Sequence, residues 1–264
     1  MSTTAATDCA VSLRAVGKRY ANGVVALDRL DLDVRPGEFV SLLGPSGCGK
    51  STALRIIAGL SEPTSGAVIW PRSNTPQGAR EIGFVFQEPT LMPWTTVAGN
   101  VRLPLDLQRI DATAAAPRVA AALARVGLAE FADVYPRELS GGMKMRVSIA
   151  RALVTESMLL LMDEPFAALD EITRFKLNDD LLSLWESLKK TVVFVTHSVF
   201  ESVYLSSRIV VMTPRPGRVF TQLAIDAPYP RDQRFRTSPE YGVFCRRASE
   251  ALATAAEAKP EARP

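Results

Sequence analysis

The sequence has 264 residues, 47% hydrophobic and 22% charged, which is enough chain for one sizeable core or two small ones. Lys and Arg (31) nearly balance Asp and Glu (28), and the resulting net charge of +3 is scattered, so no basic face suited to a nucleic acid backbone can be read from it. Three widely spaced cysteines, Cys9, Cys48 and Cys245, with a single histidine argue against a zinc site and against a disulfide framework.

The leading MSTTAATDCAVSL has no basic stretch followed by an apolar one. No segment reaches the roughly 18 apolar residues that could span a bilayer, so any membrane role is expected to be peripheral, through a partner chain. From Val11 to Val34 apolar residues recur at every second or third position, as in LDRLDLDV, which predicts an antiparallel β region. Glu38 to Leu43 (EFVSLL) reads as a strand entering GPSGCGK. STALRIIAGL then carries Leu54, Ile57 and Ala58 at helical spacing before Gly59. Further strands are predicted at Ile82 to Phe86, Met158 to Met162, Val192 to Thr196 and Ile209 to Met212. Their lack of alternation suits central strands of a mostly parallel sheet covered on both faces. Pro93 to Leu139, rich in Ala, Leu and Arg, predicts an inserted helical subdomain over about residues 93–155. After Val219 the chain turns proline- and arginine-rich. A helical stripe of Tyr241, Phe244, Ala248, Leu252 and Ala255 precedes KPEARP, giving a short tail with one helix, about 226–264, and no room for a separate further domain. No internal repeat is evident, so residues 1–264 are expected to form one nucleotide-binding unit.

GPSGCGKST, Gly44 to Thr52, fits G-x-x-x-x-G-K-[ST] and lies after a strand and at the start of a helix, where that motif works. Its glycines let Gly44, Pro45, Ser46, Gly47, Cys48 and Gly49 wrap so closely that backbone N–H groups face phosphate oxygens. Lys50 would reach the β- and γ-phosphates, and the Ser51 hydroxyl, followed by Thr52, would ligate Mg²⁺. Cys48, beside Lys50 at a helix N-terminus, is expected to favour its thiolate. LLLMDEP places two carboxylates after an apolar strand: Asp163 to hold Mg²⁺ through water and Glu164 to polarise the attacking water as general base. On its own that pair could be the polar start of a loop. LSGGMKMR opens a helix on Ser140, Gly141 and Gly142, a second anion-binding helix start that a protein with one self-contained site has no use for. The fold expected is α/β: a P-loop NTPase core with a mostly parallel central sheet, an N-terminal antiparallel β region and an inserted α-helical subdomain.

Together with the phosphate loop, Ser140, Gly141 and Gly142 resemble the signature motif of ABC ATPases, and order and spacing agree with that family from about Val11 to Arg218. The resemblance implies ATP with Mg²⁺ as ligands and a head-to-tail homodimer in which each signature completes the partner's site. It implies that Tyr20 stacks on adenine, although a tyrosine at a strand edge is also common. Gln87 would sense Mg²⁺ and the lytic water, and Asp170 would contact across the dimer. His197 would touch the γ-phosphate, although a lone histidine is more often structural. Catalysis would then rest on Glu164, His197, Gln87 and Lys50, and the metal on Ser51, Gln87 and Asp163. Two positions depart from the family pattern: Met143 stands where Gln is commonest, and Ser198 where an acidic residue is frequent.

The apolar run Leu91-Met92-Pro93-Trp94 after Gln87 falls where the family receives a helix of the permease, unless it is packed within the helical subdomain. With MDEPFAALDEITR it resembles the ATPases of importers for nitrate, sulfonates and taurine. Transmembrane permease subunits, an extracytoplasmic solute-binding protein acting indirectly, and a place on the cytoplasmic face of the inner membrane follow from that resemblance; no nucleic acid partner does. Two alternatives remain. A non-transport ABC ATPase usually carries two such units or a long coiled-coil insertion. A P-loop phosphotransferase leaves Ser140 to Gly142 and His197 unexplained.

Overall fold

The computed structural model describes residues 9–70 and 82–258; the first eight residues of the leading segment and the closing KPEARP lie outside them. In chain order the strands are β1 (Val11–Arg19), β2 (Val25–Val34), β3 (Phe39–Leu43), β4 (Ser65–Ile69), β5 (Ile82–Val85), β6 (Leu159–Asp163), β7 (Thr191–Thr196), β8 (Arg208–Met212) and β9 (Val219–Ala224). The helices are α1 (Lys50–Ile57), α2 (Val97–Leu107), α3 (Ala112–Arg125), α4 (Gly141–Leu153), α5 (Glu171–Leu188), α6 (Val199–Leu205), α7 (Gln233–Arg236) and α8 (Pro239–Glu257). The described residues fall into two compact units, 9–70 with 189–258, and 82–188.

In the first unit β1 pairs antiparallel with β2 on one side and β4 on the other. Leu30, Leu32 and Val34 are buried while Asp31 is exposed, the alternation of a strand with one wet face. β3 lies between β7 and β8, parallel to both, and all three are apolar and almost wholly buried, as strands covered on both faces must be. β9 closes this part antiparallel to β8. The second unit pairs β5 parallel with β6 and packs α2, α3 and α4 against one another. Thr96, Asp111 and Ser140 cap the starts of these three helices with side-chain oxygens. The α/β class, the mostly parallel strands and an N-terminal antiparallel β region are those predicted from the sequence; the third strand of that region, β4, was not.

The segment after β9 is held by Arg231, which is only 4% exposed. Its guanidinium donates to the carbonyls of Val203, Tyr204 and Ser206 at 2.9–3.1 Å, and to those of Ile225 and Ala227 at 3.0–3.1 Å. The first three end α6, where the helix dipole favours a cation. The Tyr229 ring lies 4.1 Å from the guanidinium carbon. Tyr204 returns a hydrogen bond from its hydroxyl to the Arg231 carbonyl at 2.9 Å. Arg231→Leu would leave these buried carbonyls without their donor, and is expected to cost roughly 3 kcal/mol or more. Thermal unfolding followed by circular dichroism should show a Tm lowered by roughly 10 °C; an unchanged Tm would refute this role.

Candidate active site

β3 delivers the chain into the glycine-rich loop, where Gly47 (φ 73°) and Gly49 (φ 104°) adopt left-handed backbone that other residues enter only with strain. A β-carbon on Gly49 would also stand 2.7 Å from the Ala26 carbonyl oxygen. Gly49 is the N-cap of α1, and no side chain caps it. The first-turn N–H groups therefore have no capping side chain to compete with an incoming anion. Lys50 is buried, its Nζ donating to the carbonyls of Gly44 at 2.8 Å and Pro45 at 3.0 Å. An ammonium held by carbonyl dipoles inside a loop can exchange them for phosphate oxygens, which bind it more strongly. This donor set fits a nucleotide polyphosphate.

The parallel register pairs Leu43 with Thr196, so β3 and β7 end level, and Gly44 and His197 leave the same carboxyl edge. That edge is where open α/β sheets bind ligands. His197 is exposed there. Ser198 caps α6 by accepting from the Glu201 N–H at 3.3 Å, and its own N–H donates to Thr196 Oγ1 at 3.0 Å. The residue that looked anomalous in the sequence thus fixes the chain's exit from His197 with a hydroxyl in place of a carboxylate. Tyr20 is 39% exposed, with its hydroxyl 3.1 Å from Thr52 Oγ1 and Lys18 Nζ 5.5 Å from its ring centre. Its ring is anchored beside α1.

In the second unit the register pairs Val85 with Met162, which sets Gln87 and the Asp163-Glu164 pair at the same carboxyl edge of β5 and β6. Asp163 is buried and Gln87 exposed. Glu164 has φ 45°, a conformation costing a non-glycine residue roughly 1–2 kcal/mol, so backbone strain sits on the residue read as general base. Ser140 caps α4 by accepting from the Met143 N–H at 3.3 Å. A β-carbon on Gly142 would stand 2.8 Å from Thr173 Cγ2, so glycine is what lets α5 lie this close. Met143 needs only its backbone for the cap, and it lines a cavity of about 330 Å³ with both apolar residues (Leu128, Phe131, Ile172) and charged ones (Arg146, Lys176). Asp170 accepts from the Thr173 N–H at 2.9 Å, which holds its carboxyl below the usual range.

Two residues not singled out from sequence organise the segment after Gln87. Asn100, fully buried, accepts from the Met92 N–H at 2.7 Å and donates to the carbonyls of Met92 and Thr96 at 3.1 Å. Arg151 of α4 donates to the carbonyls of Pro89 and Thr90 at 2.8–2.9 Å. The signature helix therefore holds the segment following Gln87 directly. A polar Asn in an apolar helical stripe was the available signal for the first; Arg151 had none.

Cys48 corrects one expectation. It is 1% exposed, and burial raises its thiol pKa above the ordinary 9.0, outweighing Lys50, whose Nζ is 3.9 Å from Sγ. The neutral thiol is the folded form throughout the physiological range. Iodoacetamide should modify Cys48 slowly in the native chain at pH 7, faster only as pH rises beyond about 9, and readily once the chain is unfolded. Rapid labelling at pH 7 that Cys48→Ala abolishes would contradict this.

Comparison with known proteins gives the family. The ABC transporter family profile matches residues 27–167. A putative ATP-binding protein of Brucella abortus is 45% identical over 242 residues, 92% of this chain and 93% of that one. The aliphatic sulfonates import ATP-binding protein SsuB 1 of Pseudomonas syringae is 48% identical over 224 residues, 85% of this chain and 89% of its own. A dimeric ATP-binding cassette bound to ADP and Pi superposes with a TM-score of 0.70 at 36% identity, over 83% of this chain and all of that one. The chain belongs to the ABC transporter family, among its ATP-binding subunits.

Proposed function

We propose that this chain hydrolyses ATP to drive uptake of a small anionic or zwitterionic solute, such as a sulfonate, nitrate or taurine, through a permease to which it binds as a homodimer. The observation that carries the reading is a complete phosphate loop in a chain that also presents a second serine- and glycine-initiated helix start, at Ser140, for a neighbour's nucleotide. Tyr20 stacks on adenine, while Lys50 and the amides of Gly44 to Thr52, with Pro45, Ser46, Gly47, Cys48 and Gly49 between, hold the phosphates. Ser51, Gln87 and Asp163 would hold Mg²⁺, which would supply positive charge to offset that of the phosphates. Glu164 takes the proton of the attacking water, and His197 and Gln87 orient water and γ-phosphate. Ser140, Gly141 and Gly142 donate to the partner's nucleotide, and Asp170 links the two copies.

Support for the permease contact comes from a groove of about 320 Å³ lined by Phe84, Phe86, Thr90, Leu103, Leu107 and Arg151. Trp94 is 76% and Leu107 77% exposed. Among the described residues no helix is long and apolar enough to cross a membrane. We place the chain at the cytoplasmic face, attached through the permease, with an extracytoplasmic binding protein presenting the solute; the solute class rests on the sulfonate-importer relatives.

Glu164→Gln should bind Mg-ATP and accumulate as a dimer in size-exclusion chromatography, with turnover lowered by about 10²-fold or more. Near-normal turnover would remove Glu164 from the mechanism. Leu91→Glu with Trp94→Glu should abolish co-purification with a co-expressed permease that the wild-type chain retains, and leave ATP binding intact; retained co-purification would show the docking surface to be misplaced.

A further inference from the structure

The turn between β8 and β9 packs on the outside of the phosphate loop. Gly217 comes so near that a β-carbon there would stand 2.0 Å from the Cys48 carbonyl oxygen. Its N–H donates to the Ala26 carbonyl at 2.9 Å, and its carbonyl accepts from the Asp28 N–H at 3.1 Å. Thr213 closes the turn, donating from Oγ1 to the Pro216 carbonyl at 3.1 Å and accepting from the Arg218 N–H at 3.0 Å. Arg218 pairs with Asp28. The turn is thus braced without help from the side chain of Arg215, at its tip.

Arg215 is exposed, and its Nε donates to the Gly47 carbonyl at 3.1 Å. One terminal nitrogen lies 3.0 Å from where a β-carbon on Gly47 would be, so the guanidinium covers the bare glycine. Arg215 forms no ion pair with any described residue. The guanidinium therefore does two things at one peptide. It holds the Gly47 carbonyl to the outer side of the loop, and it adds an uncompensated positive charge to the rim of a loop shaped for anions.

We propose that Arg215 is a positioning residue for ATP, acting through the Gly47 carbonyl and its charge to keep the phosphate loop in its binding form. This rests on the ATP-binding reading above. The test uses the full chain and titrates a fluorescent ATP analogue against wild type, Arg215→Ala, Arg215→Gln, Arg215→Lys and a Lys50→Ala control. Arg215→Ala should weaken binding about five- to tenfold, the range of one charge-assisted hydrogen bond at an exposed site. Arg215→Lys should recover most of that loss, and Arg215→Gln less, because it restores a donor without the charge. KM for ATP should rise in step with Kd while kcat at saturating ATP stays within about twofold, the mark of binding common to ground and transition states. Wild-type affinity in Arg215→Ala, with binding lost in Lys50→Ala, would overturn the proposal. So would an equal loss in Ala and Lys variants accompanied by a lowered Tm, which would make the residue a brace for the turn alone. Failure of the wild type itself to bind the analogue would instead overturn the ATP reading.

Discussion

The pairing of Leu43 with Thr196 fixes the chemistry of the first unit. Parallel strands in register end together, so the phosphate loop after β3 and His197 after β7 emerge at one edge without any contact being needed between them. Pairing of Leu43 with Val211 on the other side adds the turn after β8, which comes to lie against the loop from outside. A slip of one residue in either pairing would exchange the side chains packed on the sheet's two covered faces as well as misplace the site. The core that fills β3, β7 and β8 and the register that aligns their ends are therefore one constraint. Fully buried residues such as Phe39 and Phe194, with rings 5.9 Å apart, hold the alignment.

Much of this architecture was legible because the informative strands are short, continuously apolar and followed by residues with chemistry. EFVSLL, IGFVF, MLLLM, VVFVT and IVVM all became strands, with ends shifted by a residue. β4 and β9 were not foreseen. SGAVI in β4 is almost entirely exposed, so no hydrophobic pattern marks it, and β9 alternates only between half-buried and exposed positions beside a proline-rich stretch. The motifs located the loop and the two helix starts because glycine, serine and lysine are demanded there by backbone geometry. What sequence could not supply was the outcome of competing local terms. At Cys48 a helix N-terminus and an ammonium favour the thiolate, burial opposes them, and the depth of burial in the folded chain tips the balance toward the thiol.

Two apparent departures from the family pattern became intelligible in the same way. Met143 contributes its N–H to the Ser140 cap, a function indifferent to its side chain. Ser198 performs the capping task that an acidic residue at that place could also perform. At Met143 the backbone carries the role, whereas at Ser198 a side-chain hydroxyl does.

The run from Met92 to Trp94 is exposed at its tip, yet Asn100 ties its backbone down with hydrogen bonds from a fully buried amide, and Arg151 secures the residues just before it. Such a segment has given up its conformational freedom before any partner arrives. Association through it would incur little further ordering cost, so a given apolar contact area would return more of its free energy as affinity. Discrimination among permeases would follow from fit to a fixed shape, and sequence differences among them should be felt mainly as differences in residence time.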